Sequence, residues 1–256
     1  MAEPNKDNLT IIYYTCNYLE KTNPYFLENT EKQLLKAIDD LPLVVVAHKP
    51  SAFGWFFDNR HNGATTNIVV GDIGRSHLNI YRQILIGAKA ATTKYVAMAE
   101  DDILYSHEHF HSKVPDKEVF LYDMNKLSLF TWTKPPMYSF RHNRMVVNQL
   151  IAPREMLIDA LEERFKKLDE LLAKGKSEAD VIKYWGDPGR YEELLGVSHR
   201  NTDTFMCTNP SIVFTHEFAY GYEFNHGNKK RLGDLRILEI PQWGRAEEVL
   251  KLFKKQ

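Results

Sequence analysis

The chain opens on a continuous apolar run, Leu9–Thr15, made of β-branched and aromatic residues. Such a run predicts a strand buried on both faces rather than one with a wet side. Phe26, Leu27, Leu34, Leu35 and Ile38 then recur at helical spacing over Phe26–Ile38, after a turn-rich stretch at Asn17–Asn23. A second apolar run, Leu43–Ala47, predicts a second buried strand. Ser51–Thr66 shows no period and reads as a loop, and Asn67–Val70 as a short strand. Gly71–Ser76 is a glycine-punctuated turn whose last residue, Ser76, suits the cap of a helix through Leu78, Tyr81, Ile84, Leu85 and Ala88. Tyr95–Ala99 is the next strand, and it stops at Glu100-Asp101-Asp102. Strands alternating with helices predict an α/β fold with a mostly parallel central sheet, flanked by helices, that binds ligand at the carboxyl ends of its strands.

Beyond the acids the rhythm changes. Val119–Tyr122, Leu127–Thr133 and Arg144–Leu150 read as strands. Pro153 opens a long amphipathic helix through Leu157, Leu161, Phe165, Leu168 and Leu172, and Lys174–Asp180 is a charged, exposed stretch. Pro210–Thr215 and Leu235–Ile240 are late strands, and Glu247–Phe253 a terminal helix. No repeat or low-complexity tract interrupts the chain. The 256 residues therefore read as a single domain, with residues 9–105 forming one half and residues 106–256 a second, smaller-featured half.

Three adjacent carboxylates at the end of a buried strand repel one another unless a cation sits among them. Mg2+ or Mn2+ takes one or two carboxylates and completes its shell with phosphate oxygens, so it neutralises a diphosphate leaving group. Composition does little to redirect this reading. The net charge of −1 gives no bulk attraction to nucleic acid. Two cysteines, Cys16 and Cys207, exclude a disulfide scaffold and fit a reducing compartment. No apolar run is long enough to span a bilayer, and Met1–Asn8 carries no signal-like segment, so the expected location is the cytoplasm, or the host cytoplasm if the chain is viral. A nucleophile elbow, a phosphate-cradling Gly-Lys-Ser/Thr loop and a Cys-x-x-Cys pair are all missing from the sequence.

Gly74-Arg75-Ser76, Tyr81-Arg82-Gln83, Gly87-Ala88 and the strand ending in Glu100-Asp101-Asp102, in that order, resemble the donor-binding half of GT-A glycosyltransferases. Family 2 enzymes carry a small-residue turn, an Arg-Asn pair on a helix and an Asp-x-Asp motif in this order, and the Glu-Asp-Asp ending is similar to family 25. Here Arg82-Gln83 stands for Arg-Asn and Glu100-x-Asp102 for Asp-x-Asp. The resemblance implies a GT-A (Rossmann-like) fold with an acceptor-side subregion, and transfer of a hexose from a nucleotide sugar, UDP-glucose being typical. It implies Asp102 and Glu100 on Mn2+ or Mg2+, with Glu100 and Asp101 also facing the nucleotide sugar. It implies Thr15, Asn17, Arg75 and Arg82 around the base, ribose or sugar. One C-terminal histidine, His216 or His226, is expected to join the metal, and Lys229, Lys230 and Arg231 to grip the diphosphate.

For a base that deprotonates the acceptor hydroxyl, Asp187, Glu192 and Glu193 are the best-placed carboxylates, with Asp203 behind them. Glu192 and Glu193 also read as ordinary first-turn acids of a helix. His107, His109 and His111 alternate, so an extended segment would put them on one face, as zinc ligands or as a loop lining the acceptor cleft. Arg141, Arg144 and Trp185 are the expected acceptor contacts, within a cleft formed by Ser106–Ser112, Lys134–Arg144 and the segment around Trp185–Glu193. Compact form resembles the small phage and base-J-type DNA glycosyltransferases, which implies a 5-hydroxymethylpyrimidine acceptor in DNA. A glycan or lipid-linked saccharide acceptor, and a nucleotide-sugar-binding protein without catalysis, are the alternatives.

Overall fold

Every residue of Leu9–Thr15, strand β1, is buried, and the rest of the molecule is arranged to cover its two faces. A computed structural model describes residues 3–50, 61–140, 144–219 and 235–254. In it β1 lies between β2 (Leu43–Ala47) and β4 (Tyr95–Glu100), parallel to both, with Ile11 opposite Leu43 and Leu9 opposite Tyr95. β3 (Thr65–Val69) extends the sheet beyond β2. On the other side β9 (Leu150–Pro153) inserts antiparallel between β4 and β6 (Phe120–Asp123), and β10 (Thr202–Phe205) closes the edge parallel to β6. The order is β10-β6-β9-β4-β1-β2-β3. This is the expected α/β architecture with a mostly parallel central sheet.

The period of two decides which helix each residue meets. Ile12, Tyr14, Val96 and Met98 face one way, onto α3 (His77–Ala90) and α5 (Arg154–Ala173). Ile11, Tyr13, Ala97 and Ala99 face the other way, onto α2 (Pro24–Ile38) and α4 (His107–His111). Asn23 caps α2 by accepting from Phe26 N, so that helix starts at Pro24 rather than Phe26. Ser76 caps α3 as expected. Gly87 lets α3 sit directly on the sheet. A Cβ there would lie 2.5 Å from Ile12 Cγ2 and 3.2 Å from Val46 Cγ2.

A second sheet, ordered β12-β8-β7-β11-β5, stands beside the first. It contains β5 (Ile103–Leu104), β7 (Lys126–Phe130), β8 (Tyr138–Phe140), β11 (Ser211–Thr215) and β12 (Leu235–Ile237). Its apolar side packs with Phe26, Leu27 and the residues around α8 (Ala246–Leu250). β5 follows the acidic triplet immediately and pairs antiparallel with β11, Ile103 opposite Val213. This pairing returns the end of β11 to the acids.

Several sequence readings change. Val147–Gln149 is a 3-10 turn and only Leu150–Pro153 is strand, so Arg144–Leu150 is not one strand. Pro153 ends that strand, and α5 begins at Arg154. Ser177 opens α6 (Glu178–Trp185) with a capping box, so the charged stretch ends in a helix. His107–His111 is helical, which removes the shared face expected of an extended segment.

Candidate functional site

β4 ends at Glu100 at the carboxyl edge of the sheet, and Asp101 and Asp102 turn into β5. All three line a cleft of about 330 Å³ together with Thr15, Arg75 and Asp187. Each acid has its own holder. Glu100 Oε1 accepts from Tyr14 Oη at 2.7 Å, and Oε2 from Asn148 Nδ2 at 2.7 Å. Asp101 Oδ2 accepts from Thr15 Oγ1 at 2.6 Å. Asp102 keeps its carboxylate toward the cleft, while its carbonyl accepts from Phe214 N at 3.0 Å. Burial, and then the Asp102 charge, push Glu100 up to about 8 and Asp101 up to about 6.

The β5–β11 pairing delivers His216 to the same point. Its Nε2 lies 3.5 Å from Asp102 Oδ2, and the ring is 1% exposed. Nε2 is buried with no hydrogen-bond partner. Phe218 N donates to Nδ1 at 3.2 Å. An orphaned imidazole nitrogen aimed at a carboxylate, beside two further acids held off their ordinary ionisation, fits a divalent cation. The mixed nitrogen and oxygen donors suit Mn2+ better than Mg2+.

One wall of the cleft is built on α3 and the loop before it. Asn79 Nδ2 donates to the carbonyls of Ile73 and Gly74 and shapes that loop. Arg75 lies with its guanidinium 3.9 Å over the Tyr18 ring and donates to Phe218 O at 2.6 Å. Thus Arg75 bridges this wall to the turn that carries His216. Gln83, 3% exposed, donates through Nε2 to Thr15 O and Val46 O, each at 2.9 Å, and ties the ends of β1 and β2 together.

Asp187 lines the same cleft as the acids. Its Oδ1 accepts from Tyr81 Oη and Val147 N, each at 2.9 Å, and Arg190 Nη1 lies 3.4 Å from Oδ2. The segment that carries it is fixed by Arg164 of α5, which is wholly buried. Arg164 donates to the carbonyls of Trp185, Gly186, Asp187 and Arg190 and sits 3.6 Å from Glu192 Oε1. A second chamber, about 200 Å³, shares Glu100, Asp102 and Arg144 with the main cleft and is bounded by Lys126. Lys126 Nζ donates to Arg144 O, and burial lowers this ammonium to about 8.

Other expected site residues lie elsewhere. Arg82 is not on the cleft: it donates to Asn79 Oδ1, faces Glu178 at 3.5 Å and stacks over Phe165. One residue along a helix turns a side chain by about 100°, which separates Arg82 from Gln83's face. Asn17 is buried in the left-handed conformation and serves the backbone, accepting from Lys49 N. Trp185 is 0% exposed and packs on Tyr81 and Phe165, so it supports the cleft from behind rather than meeting an acceptor. Glu192 is buried, accepting from Gly189 N and Arg200 N as well as facing Arg164, and Glu193 is exposed. Of the three candidate bases, only Asp187 lines the cleft. Asp203 is exposed on the edge strand β10. Arg141, His226, Lys229, Lys230 and Arg231 lie outside the described residues. Sequence reasoning missed Tyr14, Asn148, Lys126 and Arg164. Of these, only Lys126, a cation flanking an apolar strand, left a signal.

No protein-family model and no curated protein sequence matches the chain. Among solved structures it is similar to the glycosyltransferase GlyE of Streptococcus pneumoniae TIGR4, at 12% identity and a TM-score of 0.51 over 98% of this chain and 61% of that one. It also matches the mannosyltransferase PcManGT of Pyrobaculum calidifontis, solved with GDP-Man and Mn2+, at 14% identity over 88% of this chain and 61% of that one, with a TM-score of 0.46. S. aureus TarS 1-349, solved with UDP-GlcNAc, aligns at 12% identity and a TM-score of 0.41, over 82% of this chain and 59% of that one. This chain thus spans about three fifths of the length of each of these matches. The GlyE match shows that the fold is shared with a solved glycosyltransferase.

Proposed function

We propose that the chain is a metal-dependent glycosyltransferase that moves a hexose from a nucleotide sugar, a UDP-sugar by preference, to a hydroxyl acceptor. The observation that carries this reading is the meeting of Asp102 and His216 across the β5–β11 pairing, at the carboxyl edge of the parallel sheet. Asp102 and His216 would hold Mn2+ or Mg2+, with Glu100 and Asp101 around it. Bound there, the ion neutralises charge on the leaving diphosphate.

The chain's own residues then divide the work. Thr15 and Arg75 frame the nucleotide. Asp187, on the wall of the same cleft, takes the proton of the acceptor hydroxyl as its oxygen bonds to the anomeric carbon. The bond from that carbon to the diphosphate oxygen breaks, and the electron pair leaves with the diphosphate. Tyr81 Oη and Val147 N hold Oδ1, so the carboxylate keeps its aim. Attack from the side opposite the leaving group inverts the anomeric centre. Both halves of the chain contribute to this one site, which supports a single catalytic domain.

For the acceptor we take a 5-hydroxymethylpyrimidine in DNA. Arg144 and Lys126 support it, because two cations border the chamber next to the acids. A glycan or lipid-linked saccharide is the second reading, and the partly exposed Asp187 beside exposed Tyr191 favours it as a sugar-sized platform. Among the described residues no helix is long and apolar enough to cross a membrane. The test is incubation with a panel of nucleotide sugars, Mn2+, and hydroxymethylated or plain DNA, followed by mass spectrometry of the nucleosides. A hexose on the modified nucleoside supports the DNA acceptor. Transfer only to added saccharides replaces it.

A further inference from the structure

The three histidines after the acidic triplet take no part in the function above. In α4, exposed His107 stacks on half-buried His111, ring centroids 3.9 Å apart, while His109 turns inward and is 0% exposed. His109 Nδ1 lies 3.0 Å from Asp123 Oδ2. The thiol of Cys207 completes the group. Ligating atoms of His109, Asp123 and Cys207 all lie within 4.8 Å of one another, and all three residues are buried. They come from three separate segments: α4, the end of β6 and the loop after β10.

We propose that His109, Asp123 and Cys207 bind a structural zinc ion, separate from the metal expected at Asp102 and His216. The proposal does not depend on glycosyl transfer. Imidazole nitrogen, thiolate sulfur and carboxylate oxygen are the donors that Zn2+ takes, and the soft thiolate favours it over Mg2+ and Mn2+.

A plain buried His–Asp hydrogen bond is the competing explanation, and the Cys207 thiol, set against the same carboxylate, goes beyond it. The surroundings also hold the ligands in place from outside. Asp123 Oδ1 accepts from Asn125 N at 2.9 Å and Cys207 N at 3.3 Å, which leaves Oδ2 for the group's centre. Asn125 Nδ2 donates to Cys207 O at 2.7 Å. Glu108, next to His109, accepts from Thr208 N and Asn209 N at 2.9 and 3.0 Å, clamping the Cys207 loop to α4. Such outer contacts orient metal ligands. Exposed Ser112 places its hydroxyl 3.9 Å from the Cys207 sulfur. The ion would bolt the edge of the large sheet to α4.

The test compares wild type, Cys207→Ser, Cys16→Ser and Asp102→Asn, each purified with zinc, dialysed, and analysed for bound metal. Wild type and Cys16→Ser should each keep about one more zinc per chain than Cys207→Ser, and Asp102→Asn should keep about one. Cobalt in place of zinc should give a thiolate-to-metal charge-transfer band in wild type and Cys16→Ser but not in Cys207→Ser. Circular dichroism checks folding. If Cys207→Ser is unfolded, Asp123→Asn read by the same cobalt band decides. A folded wild type with no zinc and no thiolate–cobalt band overturns the proposal, as does equal zinc in wild type and Cys207→Ser.

Discussion

His216 Nε2 lies 3.5 Å from Asp102 Oδ2, although the two residues sit in different halves of the chain. The contact exists because β5 leaves the acids and pairs with β11. If this pair holds the catalytic ion, His216→Ala should weaken Mn2+ binding at least as much as losing an outer-shell partner does, about 10–100-fold. Asp102→Asn should abolish turnover while leaving the melting curve cooperative. Titration calorimetry with Mn2+ and a nucleoside diphosphate reads both. Unchanged isotherms in both variants would remove the ion from this position.

Glu100 supplies a pH dependence. Its ordinary value is 4.5, and in the fold burial and Asp102 raise it to about 8. The fold therefore favours the protonated acid. In the metal-free protein this costs stability progressively as pH rises above 4.5, with the loss complete above about 8. A cation reverses the preference, so Mn2+ should bind more tightly as pH rises from 6 to 8 and release protons as it binds. Calorimetry in buffers of different ionisation heat counts those protons. Melting temperatures with and without Mn2+ should diverge as pH rises, and a constant gap across this range would contradict the assignment.

The turn after His216 should respond to metal. Phe218 N donates to Nδ1, so the neutral ring carries its proton on Nε2, facing Asp102. Coordination through Nε2 requires that proton to leave, with Nδ1 protonated instead, and the Phe218 N–H must then release Nδ1. Amide exchange at Phe218 should change on adding Mn2+ in wild type and stay constant in His216→Ala. The Arg75 contact to Phe218 O links the same turn to the nucleotide side, so Arg75→Ala should alter donor affinity more than acceptor affinity.

Asp187 and Arg164 separate chemistry from architecture. Asp187→Asn keeps the size and hydrogen-bonding reach of the side chain but removes the base, and should lower kcat by about 10²–10⁴-fold with donor affinity preserved. Arg164→Ala leaves buried Glu192 without its cation and four carbonyls without their donor. Breaking such a pair costs about 3–5 kcal/mol, so a large loss of thermal stability is expected as well as lost activity. A fully active Asp187→Asn enzyme would move the base elsewhere.

The large sheet and the acids were legible because local pattern determines them. The unbroken apolar runs of β1, β2 and β4 admit little but a sheet buried on both faces, and an acidic triplet at the end of one marks the ligand edge. His216 was legible only as one of two histidines, since its place depends on a strand pairing between distant segments. β8 and β10 are too short to show a period, and α6 hides in a run of charge. Arg164 looked like one more cation on an amphipathic helix, and only the packed loop reveals that it organises the carbonyls around Asp187. Trp185 and Arg82 were misplaced because an aromatic or a cation near a site reads the same whether it faces the cleft or the core.

The most direct test of sugar transfer is release of the nucleoside diphosphate from a panel of nucleotide sugars, measured by chromatography with Mn2+ and with excess EDTA. Wild type should release the diphosphate from at least one sugar, with Mn2+ only, and Asp102→Asn should release none under either condition. Release from no donor in the panel, or equal release in EDTA, would contradict the account.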